Sequence, residues 1–180
     1  MTYPNVPGAK VHMGFYEDWL SLRSQVQAAM ISSFKQCSSC NSIVVTGHSL
    51  GGAIATHAMA EVMGWFPDVP SWSYTFGSPR VGNVAFAEWY NSIQPDNYRV
   101  VNQHDIVPHV PPQKDTTYTY HHVPLEIWYP KNETTYVVCN DSGEDPSCSD
   151  SVPIYEWTGA DHGTYVDLPV GCNDNLYPTI

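Results

Sequence analysis

Positive charge is scarce in this chain: 7 lysines and arginines stand against 18 aspartates and glutamates, a formal net charge of -11. So acidic a chain has no basic stripe to hold a phosphate backbone or an anionic bilayer. Nucleic acid is not expected as a partner, and the substrate is expected to be neutral. Long apolar runs are missing too. No stretch of eighteen apolar residues occurs, so no membrane-spanning helix is expected, and the opening Met1–Gly8 lacks the basic and apolar regions of a secretory leader. Cysteine is limited to 5 residues. Cys37 and Cys40 flank Ser-Ser, and Cys139 and Cys148 enclose a polar loop, a pattern that reads as two local disulfides of an exported protein, with Cys172 left over. A thioredoxin-like role for Cys37 and Cys40 fits poorly, because the motif follows a helix and precedes a strand, and no further ligands stand near enough for a metal site. Two sequons, at Asn132 and Asn140, also suit secretion. Export is therefore expected, with its signal outside this chain. No composition break divides the 180 residues, so residues 1–180 are read as one domain.

What the chain does have is one sharply organised stretch, Ser42–Ala55, in which a β-branched run ends in Gly47-His48-Ser49-Leu50-Gly51 and an Ala-rich helical segment follows. Strand, tight turn and helix in that order are the context of a nucleophile elbow, which makes Ser49 the candidate nucleophile. Crowding at such a turn predicts that Gly47 and Gly51 are required to be small, and that Gly52 and Ala53 keep the helix close to the strand. The Leu50 amide, at the start of that helix, is the expected oxyanion donor. His48 is expected to point away and support the turn.

Around this stretch, apolar spacing predicts a helix from about Tyr16 to Phe34, a strand over Ser42–Thr46, and a helix from Ser49 to about Met63 stopped by Gly64 and Pro67. A strand at Ser71–Phe76, a helix over Val84–Ser92 and a strand at Tyr98–Val101 follow. The alternation implies an α/β fold with a mostly parallel sheet flanked by helices. Val123–Tyr129 and Thr134–Cys139 read as an antiparallel pair about a polar Pro130–Glu133 turn, and the remainder as loop with short helical turns.

A serine nucleophile needs a base, and the base needs a carboxylate. Asp105 stands just past the strand at Tyr98–Val101, where an α/β sheet places functional groups, and is favoured over Asp96 and Asp115. His109, His121, His122 and His162 all follow it, and position alone leaves the base open among them; His162 lies in a Gly-flanked loop able to fold back over the sheet edge.

Five stretches, Val11–Phe15, Thr46–Ala53, Thr75–Asn83, Asp105–Pro112 and Asp161-His162-x-x-Tyr165, closely resemble in order and spacing the fungal class 3 lipases and their feruloyl esterase relatives. The resemblance implies an α/β-hydrolase fold, a triad of Ser49, Asp105 and His162, no metal or organic cofactor, and Cys139–Cys148 as a family disulfide. It implies a secreted hydrolase of neutral esters or lipids at a lipid–water interface. Acylglycerol hydrolysis is the main reading and a feruloyl or short-chain esterase the alternative. A non-catalytic lipid- or carbohydrate-binding relative is the reading of another class. In that family a second oxyanion donor, a lid and a cysteine able to pair with Cys172 lie upstream of the segment resembling Tyr3–Phe15. The first strands and lid are therefore expected to be missing here, leaving Ile43–Val45 as an exposed apolar edge of a poorly stable chain.

Overall fold

In the computed structural model, residues 1–114, 118–131 and 134–170 are described. Asp115, Asn132, Glu133 and Cys172 lie outside them. The long helix α1 (Met13–Gln36) leads to strand β1 (Ile43–His48), α2 (Leu50–Trp65), β2 (Ser71–Phe76), α3 (Val84–Ile93) and β3 (Asn97–Asn102). Then come β4 (Glu126–Tyr129) and β5 (Val137–Val138), and a small ribbon of β6 (Thr164–Tyr165) and β7 (Leu168–Pro169). The main sheet runs in the order β1-β2-β3-β4-β5, with β1 to β4 parallel and β5 antiparallel to β4. This is the expected parallel core with an antiparallel C-terminal hairpin.

Boundaries moved for local reasons. α1 starts three residues before Tyr16, because the His12 ring nitrogen accepts the Phe15 amide and caps the helix. Gly64 does not stop α2. It lies inside the helix, which runs on to Trp65 before Pro67. β4 begins at Glu126 rather than Val123, since the Val123 carbonyl is spent on the Arg99 guanidinium.

Strand alternation decides which side chains meet the helices. Ile43 and Val45 join Trp19 of α1, Ala53, Met59 and Val62 of α2, and Phe86 and Tyr90 of α3 in one core. The expected Ile43–Val45 edge is an edge of the sheet, but its side chains are exposed only in part. Ile43 is buried and Val45 packs on the core, while only Val44, on the other face, is 59% exposed. Among the described residues, β1 ends the strand order.

A buried ionic knot ties a loop to this frame. Arg80, after β2, donates from Nε and Nη2 to the two carboxylate oxygens of Glu144, both at 2.8 Å. Burial alone would raise the Glu144 pKa, but the Arg80 hydrogen bonds and the neighbouring positive groups hold it well below the carboxylate range. Glu144 belongs to the loop closed by the Cys139–Cys148 disulfide; Cys37–Cys40 closes the turn after α1. Both expected pairs are formed. Glu126, Cys139 and Cys148 form the one cluster of metal-ligand type among the described residues, and two of its three members are spent in that disulfide.

His57 of α2 is a core residue without a hydrogen-bond partner among the described residues. It is fully buried against Tyr3, Tyr16 and Phe86, with neither ring nitrogen hydrogen-bonded, and burial pushes its pKa down to about 3. A folded pKa below the unfolded value of about 6.5 gives stability that is complete above pH 6.5 and lost as pH falls toward 3. His57→Leu is expected to remove about 2 kcal/mol of the stability lost between pH 7 and pH 5. Urea titrations of both proteins at the two pH values check this.

Candidate active site

β1 ends in the turn that the glycines permit. A Cβ on Gly47 would lie 2.1 Å from the Gly51 carbonyl oxygen, so only glycine allows the first turn of α2 to come so close. Gly51 itself faces nothing within 4 Å, which corrects the expectation that it must be small; the second packing glycine is Gly52, whose Cβ would stand 2.9 Å from that of Ser78. Gly47→Ala is expected to unfold or displace the elbow and abolish labelling of Ser49 by a fluorophosphonate probe. Gly51→Ala is expected to retain labelling and to gain up to about 1 kcal/mol from helix propensity. Thermal melts with labelling gels separate the two.

Ser49 occupies φ 57°, ψ -128°, a conformation costing a non-glycine residue about 1–3 kcal/mol. Although it stands at the N-cap of α2, its hydroxyl makes no capping bond. It donates instead to Nε2 of His162 at 2.7 Å. His162 Nδ1 in turn donates to Oδ2 of Asp105 at 2.8 Å. The three predicted side chains come from the end of β1, the loop after β3, and the helical turn Asp161–Gly163, and they form one continuous hydrogen-bonded chain. Leu50 is the first residue of α2, so its amide has no intrahelical acceptor and remains available beside Ser49.

Asp105 is fully buried. Its Oδ1 accepts the Val107 amide at 2.8 Å, which fixes the carboxylate plane. The other histidines are committed elsewhere: His122 donates to the Pro108 carbonyl, His121 to that of Ser142, and His109 stacks on Trp157 with Nδ1 3.5 Å from Asp150.

Several residues that hold the site had no role assigned from the sequence. Asn102, at the end of β3, donates to the carbonyls of Asp161 and Thr164, clasping the His162 turn on both sides. Its position beside the strand end was a visible signal; its partners, some sixty residues on, were not. Tyr165 donates its hydroxyl to Asp105 Oδ2. Gly77, at φ 56°, leaves room for this knot, since a Cβ there would stand 2.7 Å from Asp105 Oδ2 and 2.9 Å from His162 Nδ1. His48 does not point away from the site as expected. Its Nε2 is hydrogen-bonded to the His162 carbonyl at 3.0 Å and its ring packs on that of His162 at 4.4 Å. Burial, then the proximity of His162, lowers its pKa and favours the neutral ring.

A cavity of about 790 Å³ opens between the starts of α1 and α3, lined by Val11, His12, Met13, Val84, Tyr118 and Tyr120 among others. Ser49, Asp105 and His162 are not in its wall.

A parallel sheet whose strand turns through a strained serine into a helix, with an imidazole and a buried carboxylate aligned behind the hydroxyl, defines an α/β-hydrolase. Residues 1–115 match the family model "Lipase (class 3)", and the chain belongs to that family. It is 35% identical over 175 residues to a lipase of Rhizomucor miehei, covering 95% of this chain and 47% of that protein. It is 41% identical over 123 residues to the secreted mono- and diacylglycerol lipase 1 of Fusarium solani, covering 68% of this chain and 35% of that one. The crystal structure of the lipase from Rhizopus microsporus var. chinensis superimposes with a TM-score of 0.85 at 33% identity, covering 94% of this chain and 58% of that one. The chain thus spans half or less of the length of these two relatives.

Proposed function

We propose that this chain is a secreted carboxylic-ester hydrolase acting on acylglycerols at a lipid–water interface, through an acyl-enzyme on Ser49. The observation that carries the reading is the unbroken run of hydrogen bonds from the Ser49 hydroxyl through His162 to the buried Asp105, on a serine whose backbone is held at positive φ. In the reaction, Ser49 Oγ attacks the ester carbonyl as His162 Nε2 takes its proton, and Asp105 stabilises the imidazolium so formed. The Leu50 amide donates to the oxyanion. Collapse of the tetrahedral adduct breaks the bond to the alcohol, which leaves with the proton from His162. Water then repeats the sequence on the acyl-enzyme, releasing the acid and restoring Ser49. All of these steps are proton and electron-pair movements between substrate, water and these side chains.

The acylglycerol assignment draws on the names of the relatives, one called a lipase and the other a secreted mono- and diacylglycerol lipase. It also fits the acidic surface, which favours a neutral substrate. The test is hydrolysis of tributyrin, emulsified triolein and methyl ferulate, each beside the Ser49→Ala variant. Ser49-dependent turnover of the glycerides above the ferulate is expected. Preference for methyl ferulate would move the chain to the phenolic esterases, and binding of lipid with no turnover or probe labelling would make it a non-catalytic relative.

A further inference from the structure

We propose that Tyr165 is a positioning residue that sets the basicity of His162 by sharing the same carboxylate oxygen of Asp105. The inference rests on the reading of Ser49, His162 and Asp105 as a triad, and it concerns a residue outside those three. Asp105 Oδ2 receives two donors, His162 Nδ1 at 2.8 Å and the Tyr165 hydroxyl. The Tyr165 oxygen itself accepts the Asn102 amide at 3.4 Å. A chain of hydrogen bonds therefore runs from the main chain at the end of β3, through Tyr165 and Asp105, to His162 and the Ser49 hydroxyl. Its middle member is buried, so solvent does not screen it.

The chemistry follows from what the two donors do to one oxygen. A carboxylate stabilises an imidazolium in proportion to the negative charge it presents to Nδ1–H. A tyrosine O–H on that same oxygen draws off part of the charge, so Asp105 holds His162 in place without making it too strong a base to return its proton to the leaving alcohol. Burial, and then the Asp105 charge, push the Tyr165 pKa upward, so the hydroxyl stays a donor at all working pH values. The ring is fixed by edge contacts to Phe76 and His48, and Gly77 leaves the space in which hydroxyl, carboxylate and imidazole meet.

Among the described residues, His48 of β1 and Asp161 of its own turn also lie near His162, and the charge of Glu126 on β4 acts on Tyr165. His48 favours the neutral form for the reasons given above, and the Asp161 carboxylate accepts the His104 amide. Neither touches Tyr165 Oη.

Tyr165→Phe keeps the ring and removes the donor. The acid limb of its kcat/KM profile is expected to move to higher pH by about half to one unit, with kcat down about tenfold and KM within about twofold. The NMR titration midpoint of the His162 ring should rise by the same interval, and this reads the coupling whether or not the chain turns over an ester. Tyr155→Phe, at an 83% exposed tyrosine, is the control and should change neither. A Tyr165→Phe protein with an unmoved His162 titration, or one that loses only thermal stability, would overturn the proposal. Absence of Ser49-dependent turnover in the wild type alongside a shifted titration would overturn the hydrolase reading and leave this coupling standing.

Discussion

Ser49→Ala is expected to lower ester turnover by about five orders of magnitude while leaving the melting temperature unchanged or slightly raised. The size of the loss follows from cooperation within a triad. Without Oγ, His162 has no proton to accept and Asp105 no imidazolium to stabilise, so the three contributions vanish together. The sign of the stability change follows from the backbone. The elbow holds Ser49 at φ 57° whatever its side chain, and alanine removes only one hydrogen bond, at a group that is not fully buried. Burst-phase release of nitrophenol from a short-chain ester measures the first effect and differential scanning fluorimetry the second. A variant that kept a tenth of the activity would mean that hydrolysis proceeds elsewhere on the protein.

Arg99→Met is expected to be the most damaging single change to stability, at about 3–5 kcal/mol. Arg99 is 2% exposed on β3 and donates to the Val123 carbonyl at 2.7 Å, the Gly143 carbonyl at 3.0 Å and Glu126 Oε2 at 3.0 Å. One planar guanidinium thus joins β3 to β4 and to the Cys139–Cys148 loop. Methionine fills much of the volume but leaves the Glu126 carboxylate buried without its counter-charge and two carbonyls without a donor. Arg99→Lys should recover only part of the loss, because an ammonium cannot span the same three acceptors. In the double variant Arg99→Met, Glu126→Leu the penalty should shrink, since no isolated charge remains. Urea unfolding of the wild type, Arg99→Met, Glu126→Leu and the double variant gives the coupling energy directly.

These two cases mark how far the sequence could be read. The elbow was legible because its signal is local: a β-branched run, glycine at 47 and an alanine-rich helix lie within fourteen residues, and the turn they encode depends on little else. Asp105 was legible from one further rule, its place after a parallel strand. His162 was not separable from three other histidines by position, because its loop reaches the site through Asn102 and His48, partners that only the folded chain brings near. It was the family resemblance, not spacing, that chose it. Gly51 and His48 were misread for a related reason. Both flank Ser49 in sequence, yet crowding falls on Gly47 and Gly52, while the His48 ring turns toward a segment more than a hundred residues away. Arg99 gave no signal at all. A lone arginine in a strand of six residues reads as a surface position until its partners are known.

The place of β1 at the end of the strand order has a colloidal consequence. Its outer side offers main-chain donors and acceptors next to Val44, the kind of border on which a second molecule can lay down a strand. What opposes such encounters is the net charge of -11, whose repulsion reaches about 10 Å at 0.1 M salt and about 3 Å at 1 M. Added salt shortens the reach of that repulsion between copies of this chain.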